Sequence, residues 1–201
     1  CDTGFGGYLN LEDQDIFVQE PIQGNGKAFS FFSTGDPITF FGQQYTGMHI
    51  TDDGFVVFDL DVNYTGSVEN PQFIPDLDKP SNIAAMLWND MKIVYDKDLN
   101  HGVSAATVGS NVMIVEYDNV RKIDNATDYY DIEIVMTRTV DNSHGSYEIV
   151  FAYENLNGSL VGPFTIGVEN AAGDNAEVFI NRASAENIIS DGFMICFDAV
   201  Q

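Results

Sequence analysis

Apolar residues come in short alternating or continuous runs along this chain, and no stretch carries the three-to-four spacing of a long amphipathic helix. The run Ile83–Trp88 (Ile-Ala-Ala-Met-Leu-Trp) is unbroken and holds the only Trp; Pro80 and Ser81 bound it on one side, Asn89 and Asp90 on the other. Such a run is too short for an independent helix and predicts a strand buried on both faces, with Trp88 anchoring the core. The polar pair that stops it places an amide and a carboxylate at a strand end, either as a turn cap or as part of a site.

The other runs follow the same logic. Strands are predicted at 15–20, 28–33 and 38–41. A hairpin is predicted over 45–58, turning at Asp52-Asp-Gly54. A long polar connection over 59–81, with Pro71, Pro75 and Pro80, leads to the Trp strand. Beyond it, 91–95 is expected to pair back with 103–108 across the turn 96–102. Strands follow at 111–117 and 129–139, with a charged loop at 118–128 between them. In 129–139, Tyr130, Ile132, Ile134 and Met136 share one face, while Asp131, Glu133 and Val135 share the other. Runs at 146–153, 164–169, 177–180 and 193–197 complete the set, with a loop or one helical turn at 183–190. About a dozen short strands at this spacing predict an all-β chain with little or no helix, folded as an antiparallel two-sheet β-sandwich of jelly-roll type.

Composition agrees. The 201 residues fit one domain, 44% are hydrophobic, and 15 Phe and 9 Tyr favour strands. Charge adds something new: 31 Asp and Glu against 8 Lys and Arg give −23. That field repels nucleic acid and anionic membranes and excludes both as partners. It leaves three readings: solvation in salty surroundings, divalent-cation binding, or recruitment of a basic partner. No apolar run reaches membrane-span length.

The two cysteines, Cys1 and Cys196, lie at opposite ends. The chain starts at Cys1 without a leader, as expected of a fragment or a mature product. A Cys1–Cys196 disulfide would tie the terminal segments together and implies an exported, extracellular protein; two unrelated buried thiols are the alternative.

Several segments resemble a known family. The hairpin end Asp52-Asp-Gly-Phe-Val-Val-Phe58 resembles the (S/N)-N-G-x-(I/L)-x-F hairpin of β-sandwich domains carried by secreted subtilisin-like serine proteases, mostly from marine bacteria. The run ending Trp88-Asn-Asp90 is similar to their I-A-P-F-W-x-D-L segment, and Val115-Glu-Tyr-Asp-Asn-Val120 to V-x-W-x-N-V. Tyr147–Tyr153 and Thr165-Ile-Gly-Val-Glu-Asn170 resemble I-x-F-x-Y and T-I-G-I-E-N, and Asp191–Phe197 the closing D-G-x-x-I-C-Y. A related segment order occurs in the extracellular nidogen-type domain. The chain departs from the pattern at Ala85, where the family has Pro, and at Asp53-Gly54, where it has Asn-Gly. The resemblance covers about residues 28–198. It implies a non-catalytic extracellular module within a larger secreted polypeptide, and it implies no ligand.

Candidate chemistry is sparse. Asp96-x-Asp98-x-Asn100 spaces three oxygen side chains as a calcium loop does, but His101 precedes Gly102 and the twelfth position is Thr107, so it is not an EF-hand. It is either an isolated calcium loop or a solvated turn. Asp59, Asp61 and Asn63 repeat the alternation, and Asp76 and Asp78 are candidates to meet Asp90. His49, His101 and His144 lack zinc-ligand spacing. No Gly-x-Ser-x-Gly elbow is present. Asp131 and Glu133 match the last two acids of a glycosidase Glu-x-Asp-x-Glu pattern, but Tyr129 stands at its first acid, and the alternation predicts both on a solvent face. Tyr64, Phe73, Tyr129 and Tyr153 are candidates to stack on a carbohydrate or to contact a protein surface. The expectation is therefore an accessory or binding module, with Ca2+ as a candidate stabiliser, an adhesion module as its alternative, and a glycan hydrolase as the remote third.

Overall fold

A computed structural model describes residues 7–32, 37–58, 70–78, 80–108, 112–137 and 147–198. Two six-stranded antiparallel sheets form a sandwich, as the alternation predicts. The strands of the first are β1 (Ala28–Phe32), β4 (Gly47–Thr51), β5 (Phe55–Phe58), β6 (Ile83–Trp88), β12 (Phe164–Glu169) and β13 (Ala176–Ala183), in that order. The second runs β14 (Met194–Asp198), β11 (Tyr147–Asn157), β10 (Tyr129–Thr137), β9 (Val112–Lys122) and β7 (Met91–Lys92), with β8 (Gly102–Val108) also on β9. A small hairpin, β2 (Ile38–Phe40) and β3 (Gln43–Tyr45), is hydrogen-bonded into neither sheet, and its Ile38 and Phe40 are buried in the main core.

The main core lies between the sheets. It takes Met48, Ile50, Val56 and Phe58 from one side and Val115, Tyr117, Ile132, Ile134, Ile149 and Phe151 from the other. Two buried tyrosines cross it: Tyr117 donates its hydroxyl to the Thr51 carbonyl at 2.8 Å, and Tyr153 donates to the Met86 carbonyl at 2.6 Å. Each satisfies a polar atom that burial would otherwise penalise, and each ties the sheets together. Tyr153 is therefore a core strut and not a ligand-stacking aromatic.

Strand β6 is buried along its whole length, as expected of its unbroken apolar run. The backbone N–H groups of Met86 and Leu87 both donate to the Gly54 carbonyl, at 3.0 and 3.1 Å, so the strand bulges there. The bulge shifts the alternation: Met86 and Leu87 join the main core, while Trp88 turns to the outer face. There it packs on Phe55, with ring centroids 4.5 Å apart, and with Ile74 of the 70–78 segment. Trp88 thus anchors a second core under the polar connection, not the one between the sheets.

Three boundaries differ from the sequence reading. Residues 15–20 form no strand; a 3-10 turn at Glu12–Gln14 precedes them. Strand β9 continues to Lys122, because Arg121 and Val120 pair with Tyr129 and Tyr130 across the expected loop. β7 and β8 do not form a ladder with each other beyond the single Asp96–His101 bridge; both line up on β9.

Candidate functional site

The β2–β3 hairpin turns through Phe41-Gly42, both with positive φ (45° and 70°). Two-residue turns of this hand favour Asn-Gly, because a bulky side chain at positive φ meets its own backbone at a cost of about 1–2 kcal/mol. Phe41 occupies the position nonetheless. Its ring meets Phe40 edge-on at 4.9 Å and is only partly buried. Across from this hairpin lies the 170–175 turn between β12 and β13. Asn170 builds it: its Oδ1 accepts from the Asp174 and Asn175 N–H groups, and its Nδ2 donates to Asp174.

A cleft of about 340 Å³ opens between the two. Phe41, Gln43 and Tyr45 form one wall, and Asn170, Ala171, Ala172 and Asn175 the other. The lining holds two aromatic rings and three amides, and no charged side chain.

The segments that resemble the family hold this end in place. Gly167 in Thr165–Asn170 admits no side chain, since a Cβ would sit 2.5 Å from the Glu177 carbonyl oxygen. Glu169 is fully buried and accepts the Asp76 N–H at 2.7 Å, pinning the 70–78 segment. In the 45–58 hairpin, Asp53 accepts the Met91 N–H at 3.0 Å, and Gly54 packs so closely on Leu87 and Met91 that a Cβ would overlap both. These motifs are interlocks between turns and strands.

A second feature sits on the outer face of the second sheet. Glu116 and Glu133 are paired across β9 and β10, and both are buried. The segment around Leu9 and Leu11 covers them, with Leu11, Ile114, Val135 and Val150 forming the third apolar cluster. Glu116 accepts from the Leu11 N–H, from the Ser104 hydroxyl at 2.8 Å and from Tyr8. Glu133 accepts from the Leu9 N–H at 3.3 Å, and its Oε1 has no donor. Burial, then the Glu116 charge, pushes the Glu133 carboxyl up to about 9. Next to them Asp118 rises to about 7, from burial and then from Asp131. The expectation that Asp131 and Glu133 face solvent is thus corrected for Glu133, which is 0% exposed because the N-terminal segment covers the face that alternation leaves outward; Asp131 is half-buried and accepts the Asn119 N–H at 2.7 Å.

The other predicted residues do not converge. Asp96 Oδ1 accepts the Asp98 and Leu99 N–H groups, as in an Asx turn, while Asp98 is exposed. Asn100 is buried at φ 52°, and its Oδ1 accepts the Val18 N–H at 3.1 Å, so its amide turns inward to the N-terminal segment. Asp90 is half-buried at the end of β6. Asp76 Oδ1 accepts the Asp78 N–H. Among the described residues no group of three or more His, Cys, Asp or Glu is arranged to hold a metal ion. Phe73 is 55% exposed, with the Arg182 guanidinium 5.1 Å from its ring centre, and Tyr129 is half-buried at the start of β10. Cys196 sits on β14 beside the Leu11 cluster. Asp59, Asp61, Asn63, Tyr64 and Cys1 lie outside the described residues.

The cleft escaped the sequence reading because its walls lie far apart in the chain. One local signal pointed to it: a Phe directly before Gly between two three-residue runs.

A family model described as NIDO related matches residues 13–192. No curated protein and no solved structure matches the chain.

Proposed function

The chain belongs to the NIDO-related family, and from that premise we propose that it acts as a non-catalytic module of a larger extracellular protein, holding a ligand rather than turning one over. The observation that carries the ligand-holding part is the cleft at the Phe41 turn, where strain is tolerated to keep an aromatic ring beside an open, uncharged cavity. The buried carboxylates do not compete with it as a site. Glu116 and Glu133 lie under the N-terminal segment, where no substrate reaches them as folded.

Two finer parts belong to the same proposal. The parent polypeptide is a secreted subtilisin-like protease, supported by the hairpin, Trp and Thr165–Asn170 segments. Calcium steadies the 96–100 turn through the half-buried Asp96 and the exposed Asp98 carboxylates, with Asn100 no longer among the ligands.

The test exposes the purified domain to polysaccharide and protein substrates while measuring its binding to the same materials. Saturable binding without product formation is expected. Product formation that disappears in Glu133→Gln would overturn the non-catalytic reading. Thermal unfolding in calcium against chelator, at high salt, checks the metal: a midpoint raised by calcium and insensitive to it in Asp96→Asn/Asp98→Asn is expected. A midpoint that never moves removes calcium from the proposal.

A further inference from the structure

We propose that the cleft between the β2–β3 hairpin and the 170–175 turn is a binding site for a neutral sugar unit of a glycan. This rests on the reading of the domain as a ligand-holding module and names the ligand class of its cleft.

The lining chemistry selects the class. A pyranose presents an apolar C–H face and a rim of hydroxyls that both donate and accept. Phe41 and Tyr45 offer aromatic surface for the face. Gln43 and Asn175 are exposed, and each side-chain amide offers both donor and acceptor to the rim. The third amide, Asn170, is engaged within its own turn and acts as scaffold. A cavity of about 340 Å³ falls within the range of small-molecule sites, roughly 300–1,000 Å³.

The same lining rejects other classes. It offers no Lys or Arg to a sulfate, phosphate or carboxylate, and the net charge of −23 repels such groups at longer range. It offers no carboxylate to fix an ammonium. A purely apolar ligand would leave the amides without partners.

Backbone conformation gives an independent argument. Asn-Gly would make the Phe41-Gly42 turn without strain. Phe at φ 45° carries strain; its ring packs partly against the main core and leaves its remaining surface to the cleft. Strain kept at a ring that serves both the core and the cleft supports a contact role for its open side.

The experiment titrates the intact chain calorimetrically with mannotriose, cellotriose, laminaritriose and galactotriose, and with sulfated forms of each. Binding of at least one neutral trisaccharide is expected, with its sulfated form weaker. Phe41→Asn, which restores a favoured turn but removes the ring's packing on the core, is expected to stay folded with a cooperative unfolding transition while weakening binding about tenfold or more. Gln43→Ala and Asn175→Ala are expected to weaken it less. Wild-type affinity in Phe41→Asn, preference for the sulfated sugars, or silence of all neutral trisaccharides at millimolar concentration each overturns the proposal. The last result, with a protein ligand still bound, would leave the module reading standing; hydrolysis of a trisaccharide would instead remove the module reading itself.

Discussion

Glu116 on β9 and Glu133 on β10 face each other across the ladder, sealed from water by the backbone of Leu9 and Leu11. Two like charges cannot both be ionised at such a place without a large desolvation and repulsion penalty. The donors are unequally shared. Glu116 receives three kinds of donor, and Glu133 receives one, at 3.3 Å. The proton therefore belongs on Glu133, whose carboxyl is pushed up to about 9 from an ordinary 4.5.

The sign of the resulting pH dependence follows. A group whose folded value is raised contributes stability that is full below its unfolded value and is lost as pH rises through the folded one. For Glu133 the window runs from 4.5 to about 9, at up to about 1.4 kcal/mol per pH unit for one proton. The midpoint of thermal unfolding is expected to fall as pH is raised from 5 toward 9, in salt high enough to screen the surface charge. Glu133→Gln keeps the shape and cannot ionise. It is expected to raise the midpoint at pH 8 and flatten the slope. A Gln variant with the wild-type slope would show that the burial of Glu133 does not control stability.

Leu11 seals this pair. It is fully buried among Ile114, Val135 and Val150, and its N–H is a donor to Glu116. Leu11→Ala is expected to cost about 3 kcal/mol in denaturant unfolding. It is also expected to reduce the pH slope, because water reaches the carboxylates. A loss of stability with the slope unchanged would mean that the segment packs on the sheet without controlling the pair.

The strands themselves were largely legible. Ile83–Trp88 and Phe164–Glu169 were delimited by apolar runs, and the Asp52-Asp-Gly54 turn located the β4–β5 hairpin. Alternation in 129–137 placed Tyr130, Ile132, Ile134 and Met136 inward. What alternation cannot say is what covers the other face. Residues 7–18 have no period of their own, yet they cover Glu133, and the 70–78 segment similarly covers Trp88. The bulge at Met86–Leu87 is invisible for a related reason, since it depends on the Gly54 carbonyl, which belongs to an earlier hairpin. The cleft depends on topology, which brings residues 41–45 beside 170–175.

Gly54 is expected to be the least replaceable glycine of the hairpin. Its φ is 74°, and a Cβ there would sit 2.5 Å from Met91 Cε and 2.7 Å from the Leu87 carbonyl oxygen. The carbonyl cannot yield without breaking the bulge that places Trp88. Gly54→Ala is expected to destabilise by about 2–4 kcal/mol and to change the environment of the single Trp. The measurement is intrinsic Trp fluorescence through urea unfolding. A shift in midpoint with an unaltered native spectrum would confine the damage to the hairpin.

A disulfide from Cys196 to Cys1 would bear on the same N-terminal segment. Cys196 lies on β14 beside Met194 and the Leu11 cluster, and the described residues include no free cysteine. A Cys1–Cys196 bond would hold the start of the chain near the face it covers. Neither thiol is then expected to react with an alkylating reagent in the native, unreduced protein. Reduction is expected to lower the unfolding midpoint, with a loss of stability smaller than the roughly 5 kcal/mol that loop entropy sets as an upper figure for so long a loop. If the bond acts by keeping Leu9 and Leu11 over Glu116 and Glu133, reduction also flattens the pH dependence, as Leu11→Ala does. Ready alkylation of Cys196 before reduction would remove the bond. A lowered midpoint with the full pH slope intact would keep the bond but separate it from the sealing of the carboxylate pair.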